Sequence, residues 1–328
     1  MVSPSDITRE EEEKPMISFH SSTFVRADSM ITIYTVDAFT RELFKGNPAG
    51  VCTSFRDVFH STKLDQFFQK IATEMNISET AFITKANDSP SNSRYFLQWF
   101  TPTNEVDLCG HATLSTAHIL FEQFLHDSPI EELIFETKKV GELKVKKCDN
   151  QGRLQLDFPM GDPQPIEFNH QILNEIKSKL NITQDILNIQ LCKRTKKLLL
   201  ELSTIDDTIK PQQNLVEINF DPSIQPFVRG IIVTSKSTST IDFISRYFTP
   251  WHGILEDSVT GSAHTVLAVY WSRILNKSIL HGYQKSTRGG DVECEIDETN
   301  QRVLLRGYAI TVMQGQFQIQ RKNLLEEN

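Results

Sequence analysis

The chain has 328 residues, 39% hydrophobic and 23% charged, and a net charge of −8. That length allows one large domain or two ordinary ones with proper cores, and the composition is that of a globular protein. With no basic block and no apolar run of membrane-spanning length, neither nucleic acid nor membrane is an expected partner.

Residues 1–29 carry Glu10 to Glu13, scattered Ser and Thr, and no apolar periodicity, the pattern of a solvated, disordered acidic tail. Acidic residues argue against a mitochondrial transit peptide, and nothing there resembles a secretory h-region, so a cytoplasmic protein is expected. The cysteines (Cys52, Cys109, Cys148, Cys192, Cys294) are odd in number and lack Cys-x-x-Cys spacing. Free thiols in a reducing compartment fit better than a disulfide framework. The Asn-x-Ser/Thr sequons at Asn76, Asn87, Asn181 and Asn276 are noise in that setting.

Ordered sequence starts near Met30. Ile31 to Phe39 alternates as a strand, and Gly46-Asn47-Pro48 turns into Ala49 to Thr53. Leu64, Phe67, Phe68, Ile71, Ala72 and Met75 recur at helical spacing, with Thr62 as N-cap. Strands follow at Ala81 to Thr84 and Tyr95 to Thr101. A helix is predicted from Gly110 to about Leu125, with Leu114, Ala117, Phe121 and Phe124 on one face. Short strands at Leu133 to Thr137, Glu142 to Lys147 and Arg153 to Phe158 precede a helix over Ile172 to Leu180. Further strands fall near Leu198 to Leu202 and Gly230 to Thr234, and the proline-bearing stretch 203–227 reads as loop. A strand at Ile241 to Phe248, a helix from Gly261 to about Ile274, and strands to the end complete the chain. Many strands and few long helices suit an α+β fold of antiparallel or mixed sheets around helices, not a doubly wound parallel sheet.

One internal similarity organises these elements. Trp99-Phe100-Thr101-Pro102 is followed by Cys109-Gly110-His111-Ala112, and Tyr247-Phe248-Thr249-Pro250 by Thr260-Gly261-Ser262-Ala263. Each half reads as strand, Phe-Thr-Pro turn, acidic loop, glycine, small-residue helix. Helix N-termini present unpaired N–H groups and a positive dipole end. Two of them across a cleft would hold an anionic small molecule, most naturally a carboxylate. Either glycine alone reads as a tight strand-to-helix turn; the pair together reads as a site.

The sequence has no Gly-x-Gly-x-x-Gly, P-loop, His-Glu-x-x-His or Gly-x-Ser-x-Gly, and His111 and His118 are too far apart in one helix for an i, i+4 metal pair. Neither cofactor nor metal is expected, which points to general acid–base chemistry. Glu79, flanked by Ser78 and Thr80 before an apolar run, is a candidate for a partly buried carboxyl with a raised pKa. Composition alone favours a surface turn residue there. Glu256-Asp257 precedes the second helix, where an ordinary capping role is the simpler reading. Cys109 at a helix N-terminus is expected to have a lowered thiol pKa and to react with alkylating agents.

These segments together resemble the PhzF-like family of phenazine-biosynthesis proteins, and the animal phenazine biosynthesis-like domain proteins in particular. The resemblance lies in Asp37-Ala38-Phe39-Thr40, Gly46-Asn47-Pro48-Ala49, the run Ile71 to Phe82, Trp99 to Pro102, Glu105 to Thr113, Arg246-Tyr247-Phe248, Glu256 to His264 and Arg288-Gly289-Gly290. It implies a diaminopimelate-epimerase-like fold: two pseudo-symmetric lobes, each a curled sheet around a central helix. The expected boundaries are 30–145 for the first lobe, joined by about 314–324, and 146–313 for the second.

By the same resemblance, Glu79 falls on the glutamate that moves a carbon-bound proton in a cofactor-free isomerisation. His111 and Asp257 line that site as catalytic residues. Ser78, Cys109, Gly110, Thr260, Gly261, Ser262, Arg288 and Gly289 are expected to bind substrate. Ser258 replaces a proline usual in the family, and Gly50 a second small apolar residue. Thr260 stands where related racemases carry a second thiol, so a two-thiol mechanism is out. Expected partners are a small carboxylate-bearing substrate and a second copy of the chain. An isomerase is one reading; a non-catalytic binding or regulatory protein that keeps the fold is the other.

Overall fold

The computed structural model describes residues 28–53, 62–85 and 93–320. The tail expected over 1–29 lies almost wholly outside the described residues. The first half runs β1 (Asp28–Ala38), β2 (Asn47–Thr53), α1 (Thr62–Met75), β3 (Glu79–Lys85), β4 (Arg94–Phe100), β5 (Glu105–Val106), α2 (Gly110–Ile119), β6 (Glu132–Glu136), β7 (Glu142–Lys147), β8 (Leu154–Pro159) and β9 (Gln164–Pro165). After α3 (His170–Leu180) come β10 (Ile186–Cys192), β11 (Lys197–Leu202), β12 (Gly230–Lys236), β13 (Phe243–Thr249), β14 (Ile254–Asp257), α4 (Gly261–Leu275), β15 (Ile279–Gln284), β16 (Gly290–Asp297), β17 (Arg302–Gly307) and β18 (Ala309–Gln320).

Strand pairing shows that the second half repeats the first. β1–β2 and β10–β11 are antiparallel, and β2–β3 and β11–β12 parallel. β3–β4–β5 and β12–β13–β14 are antiparallel runs, and β4–β6 and β13–β15 are parallel. The meanders β6–β7–β8 and β15–β16–β17 close the pattern. The halves exchange their last strands: β9 lies on β10, and β18 runs back along all of β1 from Ala309 on. β8 pairs with β17, so among the described residues one mixed sheet of 18 strands curls around both central helices. This is the diaminopimelate-epimerase-like architecture implied by the resemblance.

The sequence explains the helices, with some corrections. α1 buries Phe68, Ile71 and Ala72 against Phe82 and Phe100, with Phe68 stacked on Phe82 at 4.1 Å. Gln69 and Thr73 tie the helix to the Phe-Thr-Pro turn through the carbonyls of Thr101 and Pro102. Thr62 is the first helical residue and not the N-cap, which falls outside the described residues. α2 is buried on every side, because the curled sheet surrounds it, and so it has no single apolar face. A π-helical turn over Leu120–Phe124 then shifts the phase and leaves Phe124 39% exposed. β10 was not anticipated: it is an edge strand for much of its length, and Leu187 points outward. Glu256 and Asp257 belong to a short strand, β14, instead of capping α4. Stretch 203–227 is loop with two 3-10 turns, as its prolines suggest.

Phe39 locks the two halves together. It is fully buried just past β1, with a left-handed φ of 62°. Its ring lies against Gly307, where a Cβ would come within 2.6 Å, and its carbonyl accepts from Asp291 N at 3.1 Å. A bulky residue pays strain in that conformation and must be held by its packing. Phe39→Ala is expected to destabilise the fold by about 3–5 kcal/mol in urea unfolding, the usual cost of emptying a buried phenylalanine site. A loss under about 1 kcal/mol would show that the ring is not a structural wedge.

Candidate active site

Each central helix starts where the sequence places its glycine, and the two N-termini meet. Gly110 and Gly261 are close enough that a Cβ built on either lies 3.6–3.7 Å from the other's Cα. Cys109 and Thr260 occupy the N-cap positions in extended conformation, and neither side chain caps its own helix. The N–H groups of the first turns therefore face the seam between the halves.

Asn47, first residue of β2, spans that seam. Its Nδ2 donates to Asp257 Oδ1 and to the Val259 carbonyl, both at 2.8 Å, and lies 3.2 Å from His111 Nδ1. A carboxylate and a carbonyl can only accept, which fixes the orientation of the amide. An Nδ1–H would then point donor against donor, so the His111 proton is on Nε2. That nitrogen lies 3.2 Å from Glu79 Oε2 and 3.2 Å from Ser78 Oγ, whose own proton goes to the Pro48 carbonyl at 2.9 Å. The other Asp257 oxygen accepts from Thr260 Oγ1 at 2.5 Å. Gln284 holds this turn from behind, accepting from Thr260 N at 2.9 Å and donating to the Asp257 carbonyl at 2.7 Å.

Glu79 opens β3 and keeps 17% of its side chain exposed. Burial raises its pKa; His111 opposes this, and the negative Asp257 adds to it. Asp257 is raised too, chiefly by burial, against hydrogen bonds from Thr260 and Asn47. Burial lowers the pKa of His111, although Glu79 pulls it up, so the imidazole is neutral at physiological pH. Desolvation thus outweighs the attraction between Glu79 and His111 in both partners.

The structure gathers Glu79, His111, Asp257, Ser78, Cys109, Gly110, Thr260 and Gly261 at one seam. Ser262 is the second residue of α4, and its carbonyl accepts from Thr265 Oγ1. Arg288 meets the loop that precedes Asn47. Its guanidinium binds Asp37 at 2.6 Å and the carbonyls of Gly46 and Lys45 at 2.9 and 2.8 Å, clamping the loop that leads into Asn47. Gly289 supports the same loop, its carbonyl accepting from Gly46 N at 2.8 Å.

Cys109 departs from expectation. It is 6% exposed, and burial, followed by the charge of Glu79, holds its thiol well above the ordinary value. The N–H groups of His111 and Ala112 pull the other way but do not win. The helix dipole is therefore not the dominant influence, and the expected thiolate does not follow. Exposed Cys148 should accordingly react with iodoacetamide well before Cys109, as peptide mass mapping would show.

Residues 36–315 match the phenazine biosynthesis-like protein (PhzC-PhzF) family. The chain belongs to that family. It is 40% identical over 295 residues to phenazine biosynthesis-like domain-containing protein 1 of Mus musculus, covering 87% of this chain and 98% of that one. It is 42% identical over 288 residues to an uncharacterised isomerase of Halalkalibacterium halodurans, covering 87% and 97%. The crystal structure of a PhzF family protein from Enterococcus faecalis superposes with a TM-score of 0.75 at 35% identity, over 89% of this chain and all of that one. Among the described residues, no helix is long and apolar enough to cross a membrane.

Within this family member, matching the halves strand by strand shows where they diverge. Phe100 pairs with Thr80 and Phe248 with Ile231, so Gly230 is the counterpart of Glu79. Thr260 corresponds to Cys109 and Ser262 to His111. The first half carries Glu79, Cys109 and His111, and the second contributes Asp257. Glu79, Cys109 and His111 bring their ligand atoms within 4.8 Å of one another, close enough for a metal ion.

A carboxyl with a raised pKa favours the fold when protonated. Its stabilising contribution is complete at acid pH and is lost as pH rises through the folded-state value. Glu79→Gln should therefore melt at the same or a higher temperature than the parent at pH 7. The difference should vanish below the ordinary carboxylate range, as calorimetry across pH 3.5–8 would show. A Tm lower at pH 7 than at pH 4 relative to the parent would reverse the assignment.

Proposed function

We propose that this protein is an isomerase that moves a carbon-bound proton on a small carboxylated metabolite by cofactor-independent acid–base catalysis, with Glu79 as the proton carrier. The observation that carries this reading is the contact of Glu79 Oε2 with His111 Nε2 at 3.2 Å, at the seam where both helix N-termini meet. The name of the H. halodurans relative supports the reaction class.

In this reading the substrate carboxylate lies against the first-turn N–H groups of α2 and α4, which favour an anion. Ionised Glu79 removes a proton from the adjacent carbon, and the electron pair delocalises toward the carboxylate. The Nε2–H of His111 steadies the Glu79 carboxylate before the transfer. Asp257, held by Asn47 and Thr260, keeps Glu79 basic enough to accept the proton. The same Glu79 oxygen then returns the proton to another carbon of the conjugated system. One C–H bond breaks, one forms, and a double bond shifts. Because Gly230 stands opposite Glu79 in the repeat and the Asp257 oxygens are engaged by Asn47 and Thr260, the second half has no equivalent of Glu79 with which to protonate the other face, so isomerisation fits better than racemisation.

Small carboxylic acids incubated with the protein in deuterium oxide should gain deuterium at carbon, read by mass spectrometry. Glu79→Gln should lose about 10²–10⁴-fold in that rate while keeping its fold. Exchange by the variant at the parental rate would remove Glu79 from the mechanism. Cys109→Ala should keep at least about a tenth of the activity, a barrier change of ~1.4 kcal/mol or less. A loss as large as that of Glu79→Gln would make the thiol a base.

A further inference from the structure

We infer that Lys197 and Tyr247 form an anion subsite on the second-half wall of the site, one that takes a second carboxylate of the substrate. The inference deepens the acid–base reading by narrowing its substrate class to dicarboxylates, and it rests on that reading only for the word substrate.

Register places both residues. Lys197 opens β11 directly beside Gly230, the counterpart of Glu79. Strand alternation sends Lys197 to the same face as Leu199 and Ile232, which belong to the core around α4. Tyr247 stands opposite Asp257 in the β13–β14 pair, so the two side chains leave one face of the sheet as neighbours. The tyrosine ring runs along β12 from Ile232 to Gly230. A Cβ on Gly230 would lie 2.1 Å from the Tyr247 hydroxyl. In the first half the corresponding position carries the Glu79 side chain; in the second the phenol oxygen takes up the room a side chain would need.

The chemistry of Lys197 is unfinished business within the fold. Its side chain is buried, with 6% of the residue exposed. Among the described residues its ammonium has one hydrogen-bond acceptor, the Thr195 carbonyl at 3.1 Å, and no ion pair; the Tyr247 ring centroid lies at 5.4 Å. An ammonium has three hydrogens to donate, so the fold leaves donors unspent. Buried charge in that condition opposes folding, and it is retained where function uses it. Asp257 feels the charge, yet its oxygens are engaged by Asn47 and Thr260. Burial lowers the lysine pKa to about 8, which leaves it cationic at neutral pH, and burial also keeps the Tyr247 phenol protonated, with the Thr249 side chain as its hydrogen-bond partner. A buried cation with unspent donors calls for an anionic acceptor, and the phenol lies beside it as a polar neighbour. The helix N-termini hold one carboxylate, and this pair takes another.

The test compares succinate, fumarate and maleate with propionate and crotonate by calorimetry on the intact protein at neutral pH. At least one dicarboxylate should bind about tenfold or more tightly than its monocarboxylate analogue, as a charge-assisted contact provides. Lys197→Met should abolish that advantage, leave monocarboxylate binding unchanged, and melt no lower than the parent. If that variant fails to fold, Tyr247→Phe should weaken dicarboxylate binding alone. Absence of a dicarboxylate advantage in the parent, equal weakening of both classes by Lys197→Met, or no effect of Tyr247→Phe would each overturn the subsite. Glu79→Gln separates the two readings. Dicarboxylate preference without isotope exchange in the parent would refute the isomerase and keep the subsite. Exchange without that preference would do the reverse.

Discussion

A single side-chain amide holds the site together. Asn47 joins His111 of the first half to Asp257 and Val259 of the second, at the point where two helix N-termini meet. Its donation to Asp257 orients that carboxylate, and its approach to Nδ1 leaves the imidazole proton on Nε2, facing Glu79. Without this bridge the His111 tautomer would not be fixed. Arg288 and Asp37 clamp the loop that delivers Asn47, and Phe39, held left-handed with its ring against Gly307, joins the halves. The site is therefore a property of the interface and not of either half.

The repeat accounts for the frame, and the breaking of the repeat accounts for the chemistry. Both halves supply a helix N-terminus, so an anion can be approached from two sides. They differ in the side chains that meet it: glutamate against glycine, histidine against serine, cysteine against threonine. Two carboxyls share a desolvated seam, and each is pushed toward the neutral form, which costs stability at neutral pH and leaves Glu79 suited to taking a proton and giving it back. Stability is spent at the same residues on which the reaction would depend.

Much of the frame was legible in the sequence because it rests on local rules. The spacing of Leu64 to Met75 encodes α1, the prolines of 203–227 break regular structure, and the paired Phe-Thr-Pro and glycine segments reveal the duplication. The same segments bring Glu79, His111 and Asp257 together. What local rules could not supply is the environment made when the halves close. Cys109 sits at a helix N-terminus, which by itself predicts a reactive thiol, but burial and Glu79 act the other way. Asn47 read as a turn residue of Gly46-Asn47-Pro48, and its bridging role exists only across 210 residues of sequence. Arg288 reads as a substrate ligand by resemblance, and its contacts with Asp37 and two backbone carbonyls, which clamp the loop before Asn47, are formed only in the folded chain. Lys197 carries no motif in the sequence, and only the pairing with Gly230 shows which wall it lines.

Desolvation and the nearby Asp257 make Glu79 a weaker acid than an ordinary glutamate. Carbon-13 titration of the glutamate side-chain carboxyls, with Glu79→Gln used to assign the resonance, measures this directly. The apparent pKa should lie above the ordinary carboxylate range and move down in Asp257→Asn, where the like charge is gone. An apparent value at or below the ordinary range, unmoved by Asp257→Asn, would contradict it.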